Sequence, residues 1–409
     1  MGQPVAILIA VDTGQGALSC RESLAELADL AKTAGISVKA CISQQRDTPH
    51  PSLYLGSGKL DVVAEQLAGV DIVIADDELK PRQQKALQER FKCKILDRTS
   101  LILDIFAQRA QTHEAKIQVE LAQLTYLSTR LTRLWTHLSR LGGRVGTRGP
   151  GETQLEVDKR LIRARIKTLK SQLARVRKNR DTHRKARGQR PHSVGAIVGY
   201  TNAGKSTLFN KITDSNVVQQ DALFATLDPT TRRLQLPDAP PVLVTDTVGF
   251  IQKLPTMLID AFYATLESVY EADFFIHVVD VSSPHWLVHI ETTQSVVQAN
   301  GHPVFYVFNK SDQVDADLDL DALTLPYSPA CVMSAHNSAD IDRLKSDLAT
   351  FIAQFEHTIV IPVPHTRADI RNLLYKHGRV IADVTRETHS DITVSIQPAI
   401  GEKIKGQLN

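Results

Sequence analysis

At 409 residues and 42% hydrophobic content, the chain is long enough for two to four domains with cores of ordinary size. No apolar run approaches the roughly 18 residues of a membrane-spanning helix. The four cysteines (Cys20, Cys41, Cys93, Cys331) are scattered and form no Cys-x-x-Cys pair, so neither a disulfide framework nor a zinc site is expected, and a reducing, cytoplasmic compartment fits.

The formal net charge of +3 hides a division. Residues 130–190 hold 19 Lys/Arg against 4 Asp/Glu, leaving 29 of the chain's 48 basic and 41 of its 45 acidic residues elsewhere. A strongly cationic segment in an acidic body points to a polyanion partner. In chain order, the apolar run at 5–11 reads as a buried strand, because no basic residues precede it and no small-residue cleavage site follows. Further strands are expected at 36–42, 70–75 and 93–96, with helices at 19–34, 59–67 and 81–91 between them. That alternation predicts a parallel α/β subdomain over 1–110.

From Ile117 the period changes. Ile117, Leu121, Leu124, Leu127, Leu131, Leu134, Leu138 and Leu141 form a near-heptad seam, and Leu155, Ile162, Ile166, Leu169, Leu173 and Val176 resume it beyond a glycine-rich break at 141–153. The pattern predicts a long antiparallel helical hairpin over 111–190, whose first arm alone would be a rod of roughly 45 Å. Its cations lie at the tip (Arg144, Arg148) and on the second helix (Arg163, Arg165, Lys167, Lys170), a surface expected to bind RNA in a salt-dependent way. Residues 184–190 read as a linker. A small α+β domain is expected over 358–409, with strands at 359–363, 380–384 and 392–396 around one helix at 367–376.

The chemistry lies between, in a domain expected over 191–357. A strand at 193–198 runs into Gly199-Tyr200-Thr201-Asn202-Ala203-Gly204-Lys205-Ser206, with Thr207 opening an amphipathic helix. This is G-x-x-x-x-G-K-[ST] between a strand and a helix, as a phosphate loop requires. The glycines let backbone N–H groups turn onto phosphates, Lys205 would reach the β- and γ-phosphates, and the Ser206 hydroxyl would bind Mg²⁺. A second strand ends in Asp246-Thr247-Val248-Gly249, where Asp246 can hold Mg²⁺ through a water and the Gly249 N–H can sense the γ-phosphate. Asn309-Lys310-Ser311-Asp312 follows a third strand. A carboxylate at Asp312 accepts from the N1–H and 2-amino groups of guanine, a donor pair that adenine lacks. Asn309 would brace the loop, and the Lys310 stem would cover the base. Ser334-Ala335, after a fourth strand, sits where a backbone N–H could meet guanine O6. Four motifs in this order, each after a strand of a doubly wound sheet, specify GTP and Mg²⁺. The loop at 222–232 should be the first switch, but spacing does not choose among Thr226, Thr230 and Thr231. Gly56-Ser57-Gly58-Lys59 lacks the full spacer and reads as a helix-capping turn, and the 14 histidines form no metal pattern.

Several longer segments resemble the HflX family of the Obg–HflX GTPases: 97–110, 114–124, the tip sequence at 146–156, the switch segment 224–232, and Asp246-Thr-Val-Gly-Phe250-Ile. The resemblance implies a cytoplasmic GTPase that binds the 50S subunit and its 23S rRNA and splits stalled or idle 70S ribosomes under stress, with the Gly-rich loop 142–152 near the peptidyl-transferase centre. It favours Thr226 as the Mg²⁺-binding switch threonine and counts Phe224 and Ala225 with the nucleotide site. Lys205, Thr226 and Gly249 are then the expected catalytic groups. Phe250 stands where Ras-like enzymes place a water-orienting glutamine, so slow intrinsic hydrolysis, stimulated by the ribosome, is expected. A GTP-regulated RNA-binding or assembly factor is the competing reading. No DNA partner or membrane association is indicated, and a monomer is expected when free.

Overall fold

The computed structural model describes residues 3–14, 16, 18–134, 150–187, 193–213, 223–224, 229–237, 239–254, 272–297, 301–314, 319–355, 357–396 and 398–408. The chain forms two compact units. One comprises Met1–Lys178, Ala222–Asp228 and Gln252–Tyr263, and the other Asn179–Asp221, Pro229–Ile251 and Ala264–Asn409. Among the described residues no helix is long and apolar enough to cross a membrane.

In the first unit, β1 (Val5–Asp12), β2 (Ser37–Gln45), β3 (Ile72–Ala75) and β4 (Lys94–Asp97) form a parallel sheet in the order β2-β1-β3-β4. Helix α1 (Cys20–Thr33) opens with a capping box. Ser19 Oγ accepts from the Glu22 N–H at 3.3 Å, and the Glu22 carboxylate accepts from the Ser19 N–H at 2.9 Å. Helices α2 (Ser57–Glu65) and α3 (Pro81–Phe91) follow, and Leu60, Val63, Leu87 and Phe91 join Ile7, Ile9 and Val73 in one core. Gly56 is the N-cap of α2, as the turn reading requires.

Helix α4 (Arg98–Arg109) is an addition to the elements expected from sequence. Its run Leu101-Ile102-Leu103 with Ile105 and Phe106 is buried and leaves the narrow face of Ser100, Asp104 and Gln108 uncovered, so it lacks the broad polar side that marks a surface helix. Helices α5 (His113–Leu134) and α6 (Pro150–Arg187) carry the described part of the expected seam, Leu138 and Leu141 lying outside the described residues, and α6 begins at Pro150, within the expected glycine-rich break. Ile117 and Leu169 are buried, and Arg165 on α6 makes two hydrogen bonds to Glu120 on α5, at 2.7 and 2.8 Å. The tip residues Arg144 and Arg148 lie outside the described residues. The linker expected from 184 begins too early, because α6 stays helical through Arg187 in a run of good helix formers.

In the second unit, β5 (Val194–Gly199), β6 (Thr230–Leu234), β7 (Val242–Asp246), β8 (Phe274–Asp280), β9 (Val304–Asn309) and β10 (Ala330–Val332) form a sheet in the order β10-β9-β8-β5-β7-β6, parallel except for β6. Helices α7 (Lys205–Thr213), α8 (Trp286–Val297) and α9 (Ser338–Ala353) accompany it. A three-stranded antiparallel sheet follows, β11 (His357–Pro364), β12 (Arg379–Thr385) and β13 (His389–Ile396), in the order β11-β13-β12. Besides the expected helix there, α10 (Ala368–His377), the chain forms α11 (Pro398–Gly406). Pro398, Gly401 and Gly406 hide that helix from a propensity reading, yet it buries Ile400 and Ile404 in the core of this sheet.

The pivot of the first unit is Asp97, fully buried at the end of β4. Its carboxylate accepts from Ser100 N (2.8 Å), Leu79 N (3.0 Å), Tyr126 Oη (2.6 Å) and Arg130 Nη2 (3.1 Å). The Arg130 guanidinium also lies over the Tyr126 ring, 3.4 Å from its centroid. Burial and the Asp97 charge push the Tyr126 hydroxyl far above its ordinary range. Asp97→Ala would strand a buried guanidinium and three further donors, and should cost about 3–5 kcal/mol in urea unfolding of the full chain. An unchanged midpoint would remove Asp97 from this role.

Candidate nucleotide site

The four motifs stand at the C-terminal ends of β5, β7, β9 and β10, on one edge of the larger sheet. The loop after β5 is shaped first by Gly204, whose φ of +92° belongs to the left-handed side of the map. A Cβ there would lie 2.3 Å from Asn309 Nδ2. The Asn309 amide instead donates to the Ala203 carbonyl at 3.0 Å, while its oxygen accepts from the Ala335 N–H at 3.0 Å. One buried side chain thereby joins the loops that follow β5, β9 and β10.

Lys205 opens α7, is buried, and donates to the Tyr200 carbonyl at 2.6 Å. Burial lowers its ammonium to about 8, opposed by the Asp246 charge. Ser206 Oγ donates to Asp246 Oδ2 at 2.8 Å, with Asp246 fully buried at the end of β7. A hydroxyl and a carboxylate side by side are the hard oxygen donors that a phosphate-bound Mg²⁺ takes from a protein. Such an ion needs no larger protein cage, and among the described residues there is no group of three or more His, Cys, Asp or Glu that could form one. The donor set therefore fits Mg²⁺ held jointly with phosphates.

Beyond Asp246, the Thr247 hydroxyl is committed to the Ile197 carbonyl at 2.6 Å, which anchors the strand end. Phe250 bridges to the phosphate loop, its N–H donating to the Gly199 carbonyl (3.1 Å) and its carbonyl accepting from the Thr201 N–H (2.7 Å). Gly249 lies so close that a Cβ on it would be 2.8 Å from Lys205 Nζ and 2.9 Å from Thr201 Cα. A γ-phosphate on Lys205 would thus come within reach of the Gly249 backbone.

On the base side, Lys310 has a left-handed φ of +65° and its ammonium pairs with Asp280 Oδ2 at 2.6 Å. Asp280 is held in turn by the Ser282 N–H (3.1 Å) and hydroxyl (2.5 Å). Asp312 lies exposed on a 3₁₀ turn, and a hydrogen bond from the Ser334 hydroxyl holds its carboxyl below the ordinary range. The two N–H groups considered for guanine O6 have protein acceptors here. Ser334 N donates to Asp340 Oδ2 (2.9 Å), and Ala335 N to Asn309. Asp280 and His289 escaped the sequence reading. The His289 ring stacks on Tyr200 of the phosphate loop at 3.9 Å, and Asp-x-Ser after β8 was the only available sign of the first.

Of the other expected residues, Phe224 belongs to the first unit, buried with its ring 4.6 Å from Phe106, and Ala225 and Thr226 lie outside the described residues. On α6, Arg163, Lys167 and Lys170 are exposed, and Arg165 is engaged by Glu120.

Three family models match the chain: "GTP-binding GTPase N-terminal" over residues 21–107, "GTP-binding GTPase Middle Region" over 109–187, and "50S ribosome-binding GTPase" over 194–310. The chain is 42% identical over 386 residues to a protein of Lacrimispora saccharolytica named GTPase HflX, covering 93% of this chain and 90% of that one. It is also 42% identical over 386 residues to the GTPase HflX of Escherichia coli K12, covering 92% and 89%. Among solved structures, the crystal structure of SsGBP in complex with GDP is similar, with a TM-score of 0.51 and 26% identity over 85% of this chain and 99% of that one.

The Gly204–Asn309 contact makes a direct prediction. A methyl group at 204 displaces the Asn309 amide and breaks its bond to Ala203, a loss of about 1–3 kcal/mol for a buried donor. Gly204→Ala should weaken GDP binding about 10- to 100-fold by calorimetry. Affinity equal to the parent's would mean that the three loops are not coupled through Asn309.

Proposed function

The chain belongs to the HflX family of GTPases, and on that premise we propose that it is a Mg²⁺-dependent, cytoplasmic GTPase that binds the 50S subunit and splits stalled or idle 70S ribosomes, hydrolysis resetting the cycle. GTP hydrolysis itself is the activity of the family. The observation that carries the ribosomal reading is the exposed cationic face of α6, with Arg163, Lys167 and Lys170, in a chain whose remainder is acidic. Such a face matches an RNA backbone and releases counterions on binding. The matching "50S ribosome-binding GTPase" model supports the large subunit as the source of that RNA.

In the nucleotide site, Lys205 would neutralise the β- and γ-phosphates, and Ser206, Asp246 (through a water) and Thr226 would complete a Mg²⁺ shell that offsets charge on the phosphates. Gly249 N–H would donate to the γ-phosphate. Asp312 would accept from the guanine edge, with the Lys310 stem across the base. Phe250 carries no group that can orient water, and its backbone is spent on the bridge to Gly199 and Thr201. Intrinsic hydrolysis is therefore slow, and ordering of the switches on the ribosome accelerates it, by up to about 10³–10⁵-fold if activation follows other GTPases. A GTP-regulated RNA-binding or assembly factor would use the same basic helix but not the tip at 142–152.

Sedimentation of 70S ribosomes with the protein and a non-hydrolysable GTP analogue separates these readings. Conversion to 50S and 30S with the analogue and not with GDP is expected, and deletion of 142–152 should abolish it while nucleotide binding persists. Binding to 50S without loss of 70S would transfer the assignment to the regulatory reading. For the base, Asp312→Asn should lose the preference for GTP over ATP, by about 1–3 kcal/mol of discrimination in competition binding.

A further inference from the structure

The phosphate loop and the segment that follows Asp246 meet closely, and both belong to the second unit. The Thr201 N–H donates to the Phe250 carbonyl at 2.7 Å, and Tyr200 pairs with Phe250 as an isolated parallel bridge. A Cβ on Gly249 would lie 2.8 Å from Lys205 Nζ and 2.9 Å from both Cα and Cγ2 of Thr201. Three groups therefore converge on one point: the Lys205 ammonium, the Gly249 backbone and the Thr201 side chain. The first two are the groups assigned above to the γ-phosphate.

Thr201 is buried, and its hydroxyl makes no hydrogen bond within the protein. The neighbouring hydroxyls are committed. Ser206 donates to Asp246, Thr247 to the Ile197 carbonyl, and Thr245 pairs with Thr231 at 2.9 Å. A buried hydroxyl without a partner has given up water and gained nothing in exchange, so it destabilises the fold. Valine has the same branched shape and would fill the space without that loss. The turn of the loop does not call for the hydroxyl either, since Gly204 and the Asn309 amide set it. An orphaned buried polar group of this kind calls for a reason, and catalysis is one.

Hydrolysis needs a group that accepts a hydrogen bond from the attacking water. An ammonium and a backbone N–H only donate, so neither Lys205 nor the Gly249 N–H can do this. Ser206 and Asp246 are assigned to Mg²⁺, and Phe250 has no polar side-chain atom. The Thr201 hydroxyl does carry acceptor lone pairs, at the point where those donors converge. We propose that Thr201 is a catalytic residue, its hydroxyl accepting a hydrogen bond from the water that attacks the γ-phosphorus, a part that the side chain at 250 cannot take. This rests on the reading of Lys205 and Gly249 as γ-phosphate contacts. Lys205 donates here to the Tyr200 carbonyl. In turning to the phosphates its ammonium leaves the space beside Thr201 to the γ-phosphate and its water. The water oxygen bonds to the γ-phosphorus, the bond to the β–γ bridging oxygen breaks with its electron pair going to GDP, and the proton lost by the water passes to a phosphate oxygen. Thr201 stays neutral throughout and contributes by orientation.

The test measures single-turnover GTP hydrolysis on the full chain, with Kd for GDP and for a non-hydrolysable GTP analogue and the melting temperature alongside. Thr201→Val should slow hydrolysis about tenfold or more, the effect of one hydrogen bond made in the transition state. Both Kd values should stay within about twofold of the parent's, and Thr201→Ser, which keeps the hydroxyl, should recover most of the rate. The melting temperature of Thr201→Val should match or exceed the parent's, because the hydroxyl has no bond to lose. A rate within about twofold of the parent's, a loss that Thr201→Ser shares, or an equal loss of analogue affinity would overturn the assignment. So would a fall of several degrees in melting temperature, which would make the hydroxyl a structural tie. Gly249→Ala is run in parallel. If it leaves the ratio of analogue to GDP affinity unchanged, the γ-phosphate reading fails and the role of Thr201 falls with it. If it lowers that ratio while Thr201→Val hydrolyses normally, the Thr201 assignment alone fails. Should Thr201→Val not fold, Thr201→Ala removes the same hydroxyl and is judged by the same rate and affinities.

Discussion

The nucleotide site hangs on the carboxamide of Asn309, which carries a donor and an acceptor on one rigid plane and has each satisfied by a different loop, Ala203 on one side and Ala335 on the other. A parallel sheet delivers its strand ends to one edge, but it does not fix the loops beyond them relative to each other. Left alone, each loop would have to be ordered separately when nucleotide arrives, at an entropic cost for every residue immobilised. The amide meets that cost during folding. It also explains the composition of the phosphate loop at its tightest point, since the space a side chain would need at 204 is the space the amide occupies. The glycine is required there by a partner 105 residues away in sequence.

The charge distribution follows a similar logic of segregation. Within the first unit the buried charges are compensated locally, Arg130 by Asp97 and Arg98 by Glu26 and Asp76. Buried pairs of this kind add little net stability, but they leave no tolerance for losing one partner. On α6, Arg163, Lys167 and Lys170 are exposed instead, and only Arg165 among the four singled out is drawn back to a carboxylate. That contact joins α6 to α5 and removes Arg165 from the free positive surface, so the helix presents fewer available charges than a count of its residues suggests.

Much of the site could be read from sequence because its chemistry is local. Gly199 to Ser206, Asp246 to Gly249 and Asn309 to Asp312 each keep their meaning within four to eight consecutive residues, since each is a strand end followed by a loop. The alternation of strands and helices and the long seam were legible for the same reason, a short period repeated. What escaped depends on distance or on burial from all sides. Helix α4 has only a narrow polar face, Ser100, Asp104 and Gln108, to give a period, and α11 contains two glycines and starts at a proline. Asp280 gains its interest only once Lys310 is beside it, and Asp76 only once Lys253 is. Nothing in the local sequence of an aspartate says which distant cation it will hold.

Phe250 shows how these levels meet. In an enzyme that orients its own attacking water, the residue after Asp-x-x-Gly would supply a polar side chain. Here the side chain is buried and the backbone carries the useful groups, both of them closed onto the phosphate loop. The position has been given over to geometry. With no side chain there to orient a water, what this stretch offers is the placement of its backbone, and that backbone is fixed by its two hydrogen bonds to Gly199 and Thr201, a contact whose strength depends steeply on distance and angle.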